Sequence, residues 1–354
     1  MRIAIDAMGG DNAPDEIIAG ALEAIGALEE RDRLILVGPA NIIEPRLPRK
    51  PLSEGILSVI DAPDIIQMDE PPIDTLRKKP KSSIAVLAKL GKLKRADAVI
   101  SAGNTGACVV AFQMRMRNLP GVNRPGIAVV FPTFEGPVTI CDVGANIACK
   151  PVNLHQYAIM ARLYSKYLLG IENPRVGLMS IGQEDAKGNE ITKKARELMR
   201  SDLNLNFVGN IEGKDIFNGA CDVAICDGFV GNVVLKLTEG LVDGLFKAIK
   251  GELMTEKFRL AMKFKPIMTR IYKKYDYNTY GGALLLGVNG TALICHGSSK
   301  ARTIKNAILS SKKYHTKKIN DKIIEYLSGN NCGREPHDIS PGKAVSGTRD
   351  EQTR

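Results

Sequence analysis

Residues 3–14 read IAIDAMGGDNAP, and residues 97–118 read DAVISAGNTGACVVAFQMRMRN. Both begin with a short apolar run, pass through a glycine-bearing turn and continue toward a helix. In the first, Pro14 can start that helix, because proline is tolerated in a first helical turn. Such a turn has two explanations. A tight strand-to-helix reversal needs glycine where φ turns positive, and bare backbone N–H groups ahead of a helix also hold anions. The choice between them depends on whether the pattern recurs.

It does. Strands are predicted at 34–38 (LILVG), 57–61 (LSVID), 97–101 (DAVIS), 126–131 (GIAVVF), 138–146 (VTICDVGAN), 175–182 (RVGLMSIG), 206–210 (NFVGN) and 222–228 (DVAICDG). Helical patterns fall between them at 82–96, 103–118, 154–168, around ITKKARELMR, and at 230–249, with Ser82 or Ser83 as the cap of the first. This alternation predicts an α/β fold with a mainly parallel sheet covered on both faces. No internal repeat is present. From about Ser328 the apolar periodicity stops, so 329–354 reads as a disordered tail.

Composition narrows the class. The chain has 354 residues, 44% of them hydrophobic and 25% charged, enough for one large or two moderate domains with a substantial core. No uninterrupted apolar stretch approaches membrane-spanning length, and MRIAIDAMGGD is no secretory leader, so a cytoplasmic location is expected. Seven cysteines without a CxxC pair read as reduced thiols, and a zinc site is not expected. The net charge of +10 calls for an acidic partner: nucleic acid, anionic lipid or an acidic protein.

The strand-end turns carry the candidate chemistry. Gly103, Asn104, Thr105 and Gly106 offer backbone N–H groups, an amide and a hydroxyl at a helix start, which suits phosphate; a plain helix cap is the alternative. Lys187, between a strand and a helix, offers a point charge to phosphate or is a solvated loop lysine. Asn232 either orients an oxyanion or caps its helix, and Asp142 and Asp227 either bind or cap. His296 is the one histidine in a strand-end turn of this kind. The dinucleotide fingerprint G-x-G-x-x-G does not follow the first strand, and the P-loop and GxSxG motifs are absent.

Taken in order, IAIDAMGGDNAP, SAGNTGA, DVGAN, KGNE with TKKA, DGFVGNVVLK and GGALLLGVNG…CHGSS resemble the PlsX family of bacterial phosphate acyltransferases over about residues 1–328. The resemblance implies a three-layer α/β/α catalytic domain over 1–328, like the isocitrate and isopropylmalate dehydrogenases and related to phosphotransacetylases. It implies transfer of a fatty acyl group from acyl carrier protein to inorganic phosphate, and an acyl phosphate product that feeds a glycerol-phosphate acyltransferase of phospholipid synthesis. It further implies a homodimer and no metal or organic cofactor. Lys187 and Asn232 become the catalytic candidates. Asp6, Gly9, Gly10, Asp11, Gly103, Asn104, Thr105, Gly106, Asp142, Asn146, Asn189, Asp227 and His296 become substrate-binding candidates. Ser180 stands where the family pattern leads one to expect asparagine. A cysteine nucleophile is disfavoured, Cys295 beside His296 being its one candidate.

Positive charge collects in two stretches. Residues 251–275 carry seven Lys or Arg against two Glu, with Leu253, Leu260, Phe264, Ile267 and Ile271 on one helical face. Such a segment suits the surface of an anionic membrane; packing on the protein or on a dimer partner is the alternative. Residues 300–318 carry seven Lys or Arg and no acid, a candidate surface for acidic carrier protein or a solvated face. A nicotinamide-dependent dehydrogenase and a basic nucleic-acid-binding module remain as rivals. The second is disfavoured, since the basic runs lack interleaved aromatic platforms.

Overall fold

Along β1 (Arg2–Asp6), Ile3 and Ile5 enter one hydrophobic core while Ala4 enters another. Along β2 (Arg33–Gly38), Leu34 and Leu36 divide from Ile35 and Val37 in the same way. Successive strand residues point to opposite faces, so a strand apolar on both is covered on both. The computed structural model describes residues 1–48, 55–255, 264, 266–271 and 277–329.

The further strands are β3 (Leu57–Asp61), β4 (Ala98–Ser101), β5 (Gly126–Thr133), β6 (Gly136–Cys141), β7 (Val176–Met179), β8 (Phe207–Ile211), β9 (Val223–Ile225), β10 (Ala283–Leu286) and β11 (Thr291–Ile294). The helices are α1 (Asp15–Ile25), α2 (Ala40–Ile43), α3 (Pro72–Lys78), α4 (Ser83–Lys92), α5 (Thr105–Met116), α6 (Pro151–Tyr164), α7 (Glu190–Ser201), α8 (Gly228–Thr255), α9 (Ala301–Thr316) and α10 (Ile319–Gly329). One core takes residues of α1, α6, α7, α9 and α10; the other takes residues of α4 and α5. Two helical layers therefore enclose the sheet.

Sheet order is β3-β2-β1-β4-β11-β10-β5-β6-β9-β7-β8. The first five strands of this order are mutually parallel, and so are the last four. Between the blocks lie three antiparallel pairings, β11 with β10, β10 with β5, and β5 with β6. Three reversals leave the two blocks running in opposite directions. Adjacent strands also rotate by about 20–25° each, so the five steps from β4 to β9 turn the strand direction by more than about 100°. Twist and reversal together explain how strand ends from both blocks border one cavity.

The predicted strands all form, although β6 ends at Cys141, five residues before its expected end, and β10 and β11 were not predicted. Ser82 caps α4, its side chain accepting from Ala85 N at 3.4 Å. α6 is shifted, running from Pro151 to Tyr164, and α8 is longer than its apolar pattern, continuing to Thr255. The expected tail falls outside the described residues beyond Gly329, which itself ends α10. Among the described residues no helix is long and apolar enough to cross a membrane.

One ion-pair node fastens the β1–β2 corner to α9. Asp32 accepts from Lys312 Nζ at 2.6 Å, from the Met1 ammonium at 2.9 Å and from Glu29 N at 2.9 Å. Burial pushes its carboxyl up, but Lys312, the Met1 ammonium and the Glu29 N–H outweigh it and hold the carboxyl at about 2. A depressed carboxylate adds stability above its unfolded value and loses it as pH falls toward the folded one. Wild type is therefore expected to lose about 2 kcal/mol through this group between about pH 5 and pH 2. Asp32→Asn should lack that component, read as the difference between the two proteins in urea midpoints at pH 5 and pH 2.5. Equal acid sensitivity would contradict it.

Candidate active site

The opening turn is built for close approach. A Cβ on Gly9 would lie 2.6 Å from Gly103 N, and one on Gly10, at φ +104°, would lie 2.8 Å from Gly297 O. The turns after β1, β4 and β11 thus press together, and Asp11 N donates to Gly297 O at 2.8 Å. Asp6 is buried beneath them, accepting from Ser101 Oγ at 2.7 Å and Met8 N at 3.1 Å. Burial pushes its carboxyl above the usual range, against the pull of these hydrogen bonds. Asn104 caps α5 through Ala107 N at 2.9 Å and ties down the carbonyls of Gln67, Met68 and Glu70. Gly106 packs against Pro72. Thr105 alone of the GNTG residues is exposed, on the first turn of α5.

In the second block the DVGAN turn is folded around Asp142, which has no exposure. Its two oxygens accept from the backbone N–H groups of Ile127 (2.9 Å), Gly144 (3.1 Å), Ala145 (3.0 Å) and Asn146 (2.7 Å), and from the Asn146 amide (3.3 Å). Asn146 Nδ2 also donates to Pro125 O at 2.6 Å and Tyr157 Oη at 2.8 Å. Both side chains are therefore committed to the protein. The first turns of α8 lie directly on this network, where a Cβ on Gly231 would collide with Asp142 O. Asp227 accepts from Val230 N at 2.9 Å, and Asn189 accepts from Thr192 N at 2.8 Å, so both cap helices.

The two blocks meet at a cavity of about 120 Å3. Ile127, Val129, Val143, Leu235, Ala283 and Ile294 supply apolar wall; Thr105, Asn232, Lys236, Glu239 and His296 supply polar groups. Asn232, Lys236 and Glu239 stand four and three residues apart on α8, hence on one helical face. Lys236 Nζ lies 2.9 Å from Glu239 Oε2 and 2.8 Å from His296 Nε2. That second contact joins the blocks across the cavity. Lys236 and Glu239 went unread in the sequence, although their spacing from Asn232 was there to find. Among the candidates, the structure brings together Thr105, Asn232 and His296 here.

Lys187 does not line this cavity. It lies on the loop between β7 and α7, and β7 neighbours β9, whose end leads into α8. The loop is fixed at several points. Gln183 donates to Asp215 at 2.9 Å, Asn210 Nδ2 to Glu184 O at 3.1 Å, and Arg196 to Asp185 O. Arg200 grips the Asp185 carboxylate with two bonds of 2.9 and 3.0 Å. The Lys187 side chain itself is exposed and makes no hydrogen bond or ion pair to a described residue. Ser180 Oγ is buried beneath this loop without a hydrogen-bond partner, turned away from solvent.

Cys295 lines the cavity, but burial pushes its thiol up to about 12 and its Sγ lies 3.8 Å from Gly281 O. His296 is engaged instead with Lys236 and with Ser298 Oγ, at 2.7 Å. A thiolate nucleophile is not prepared here. No group of three or more His, Cys, Asp or Glu with metal-holding geometry exists among the described residues.

Of the basic segment 251–275, Leu253 is half-buried, while Phe264 and Ile267 are 40% and 41% exposed. Leu260 lies outside the described residues. In the 300–318 stretch, Lys305 and Lys312 face Glu23, Glu29 and Asp32 of this same chain, while Lys300, Lys313, Lys317 and Lys318 are exposed.

A mostly parallel sheet between helical layers, interrupted by antiparallel strands and carrying its cavity where strand ends of two blocks meet, is a phosphotransacetylase-like fold. A phosphotransacetylase from Streptococcus pyogenes superposes with a TM-score of 0.59 over 89% of this chain and 94% of its own, at 16% identity. A protein from Salmonella typhimurium described as a dehydrogenase of 4-hydroxythreonine-4-phosphate superposes with a TM-score of 0.50 over 88% of this chain and 99% of its own, at 14% identity. Residues 1–322 match the family described as fatty acid synthesis protein. A phosphate acyltransferase from Thermodesulfovibrio yellowstonii is 48% identical over 331 residues, 93% of this chain and 94% of that protein. The chain belongs to this family, the PlsX phosphate acyltransferases.

Proposed function

We propose that this protein transfers a fatty acyl group from acyl carrier protein to inorganic phosphate, giving an acyl phosphate for phospholipid synthesis. The observation that carries this reading is the cavity between the blocks, with an amide, a hydroxyl and a lysine set among apolar walls in a chain of this family. A phosphate oxygen attacks the thioester carbonyl, forming a C–O bond; the C–S bond then breaks. The leaving thiolate takes the proton given up by hydrogen phosphate, so the products are acyl phosphate and the free thiol of the carrier.

Phosphate is already an anion and needs placement and charge compensation more than a base. Lys187 offsets its charge near the thioester, and the Asn232 amide stabilises the tetrahedral oxyanion. Asp6, Asp11, Gly9, Gly10, Gly103, Asn104, Gly106, Asp142, Asn146, Asn189 and Asp227 act by shaping the turns around the substrates. Thr105 and His296 face them. No cofactor takes part. Phosphate binding to the native state should raise the melting temperature, with about 2.7 kcal/mol of stabilisation at a hundredfold excess over Kd. A melting temperature indifferent to phosphate would count against a preformed site.

Partners follow from exposed surfaces. A ridge on α8 of Val233, Leu237, Leu241 and Leu245 is open, Leu237 and Leu241 being 68% exposed, which supports a second copy of the chain as its cover. Lys313, Lys317 and Lys318 suit acidic carrier protein, and the product passes to a glycerol-phosphate acyltransferase. The segment with Phe264 and Ile267 suits peripheral contact with an anionic membrane. Replacing both by glutamate should abolish sedimentation with anionic vesicles while turnover of soluble substrate persists, because insertion and charge both contribute. Unchanged sedimentation would remove the segment as an anchor.

A further inference from the structure

Lys236 is the one Lys or Arg side chain on the cavity among the described residues. Its ammonium has three donors. Glu239 Oε2 at 2.9 Å and His296 Nε2 at 2.8 Å take two. His296 Nδ1 lies 2.7 Å from Ser298 Oγ and 3.3 Å from Ser298 N, which holds the ring against its own turn. The lysine is thus held from both blocks. Asn232 stands one helical turn away on the same face, and the Thr105 hydroxyl faces in from the other block.

We infer that Lys236 is the residue that binds inorganic phosphate in the ground state, with Glu239 and His296 positioning its ammonium. The inference rests on the phosphate-acyltransferase reading and divides the work between two lysines. Lys236, fixed on the cavity wall, sets phosphate affinity. Lys187, free on its loop, acts in turnover. Pairing with Glu239 balances the ammonium's charge, and an entering phosphate dianion takes over its remaining donor.

The test is steady-state kinetics of Lys236→Met and Lys236→Arg with inorganic phosphate and an acylated carrier protein. Lys236→Met should raise the KM for phosphate about tenfold or more, as loss of a charged hydrogen bond does, with kcat and the KM for the acyl donor little changed. Lys236→Arg should recover part of that affinity. An unmoved KM for phosphate in folded Lys236→Met overturns the inference. Competitive acetylation of the wild-type protein provides a readout that no folding defect can confuse. Phosphate should slow labelling of Lys236 relative to Lys89, which is exposed on α4. Equal labelling with and without phosphate also overturns it. Wild type that transfers no acyl group to phosphate sinks the underlying reading instead.

Discussion

Lys187→Ala is expected to lower kcat by about 10²- to 10³-fold, the usual cost of removing one positioned group that stabilises developing charge. Its melting temperature should stay close to wild type, because the side chain is exposed and makes no hydrogen bond or ion pair to a described residue. The loop itself is held by Arg196, Arg200 and Asn210 and does not need the lysine to keep its shape. Lys187→Arg should recover some activity, since a cation returns with different geometry. Asn232→Ala should follow the same pattern, losing turnover without losing fold. Near-normal phosphate-dependent turnover in folded Lys187→Ala would end its assignment to catalysis.

Asp142→Ala should give the opposite result, a loss of about 3–5 kcal/mol in stability. The substitution strands four backbone N–H groups around a buried hole, and α8 rests on that same turn. Asp142→Asn should cost less. An amide oxygen still accepts, and the buried charge, which burial already disfavours, is gone. The checks are urea midpoints at unchanged m and the KM for phosphate. An Ala variant as stable as wild type but with a raised KM would make Asp142 a ligand residue after all.

These two residues mark how far the sequence could be read. Alternation of apolar runs with glycine turns was enough to place β1 to β9 but not β10 and β11, and IAIDAMGGDNAP and SAGNTGA pointed to turns that the fold does press together. What Asp142 does was open from sequence alone, because a strand-end aspartate looks the same whether it faces a ligand or its own backbone. Lys236 was hidden differently. Its partner His296 lies sixty residues on, and the two meet because antiparallel joints at β10 and β5 reverse one block against the other. Strand direction is not written in apolar periodicity, so that contact had no local signal. The i, i+4, i+7 spacing of Asn232, Lys236 and Glu239 was the available clue, and it needs the cavity to give it meaning.

The central claim is phosphate-dependent acyl transfer, and one assay meets it directly. Purified protein is mixed with a fatty-acylated carrier protein, with and without inorganic phosphate, and free carrier thiol and acyl phosphate are both measured. Thiol release is expected only when phosphate is present, matched one for one by acyl phosphate. Thiol release that is absent, or that proceeds equally without phosphate, would contradict it.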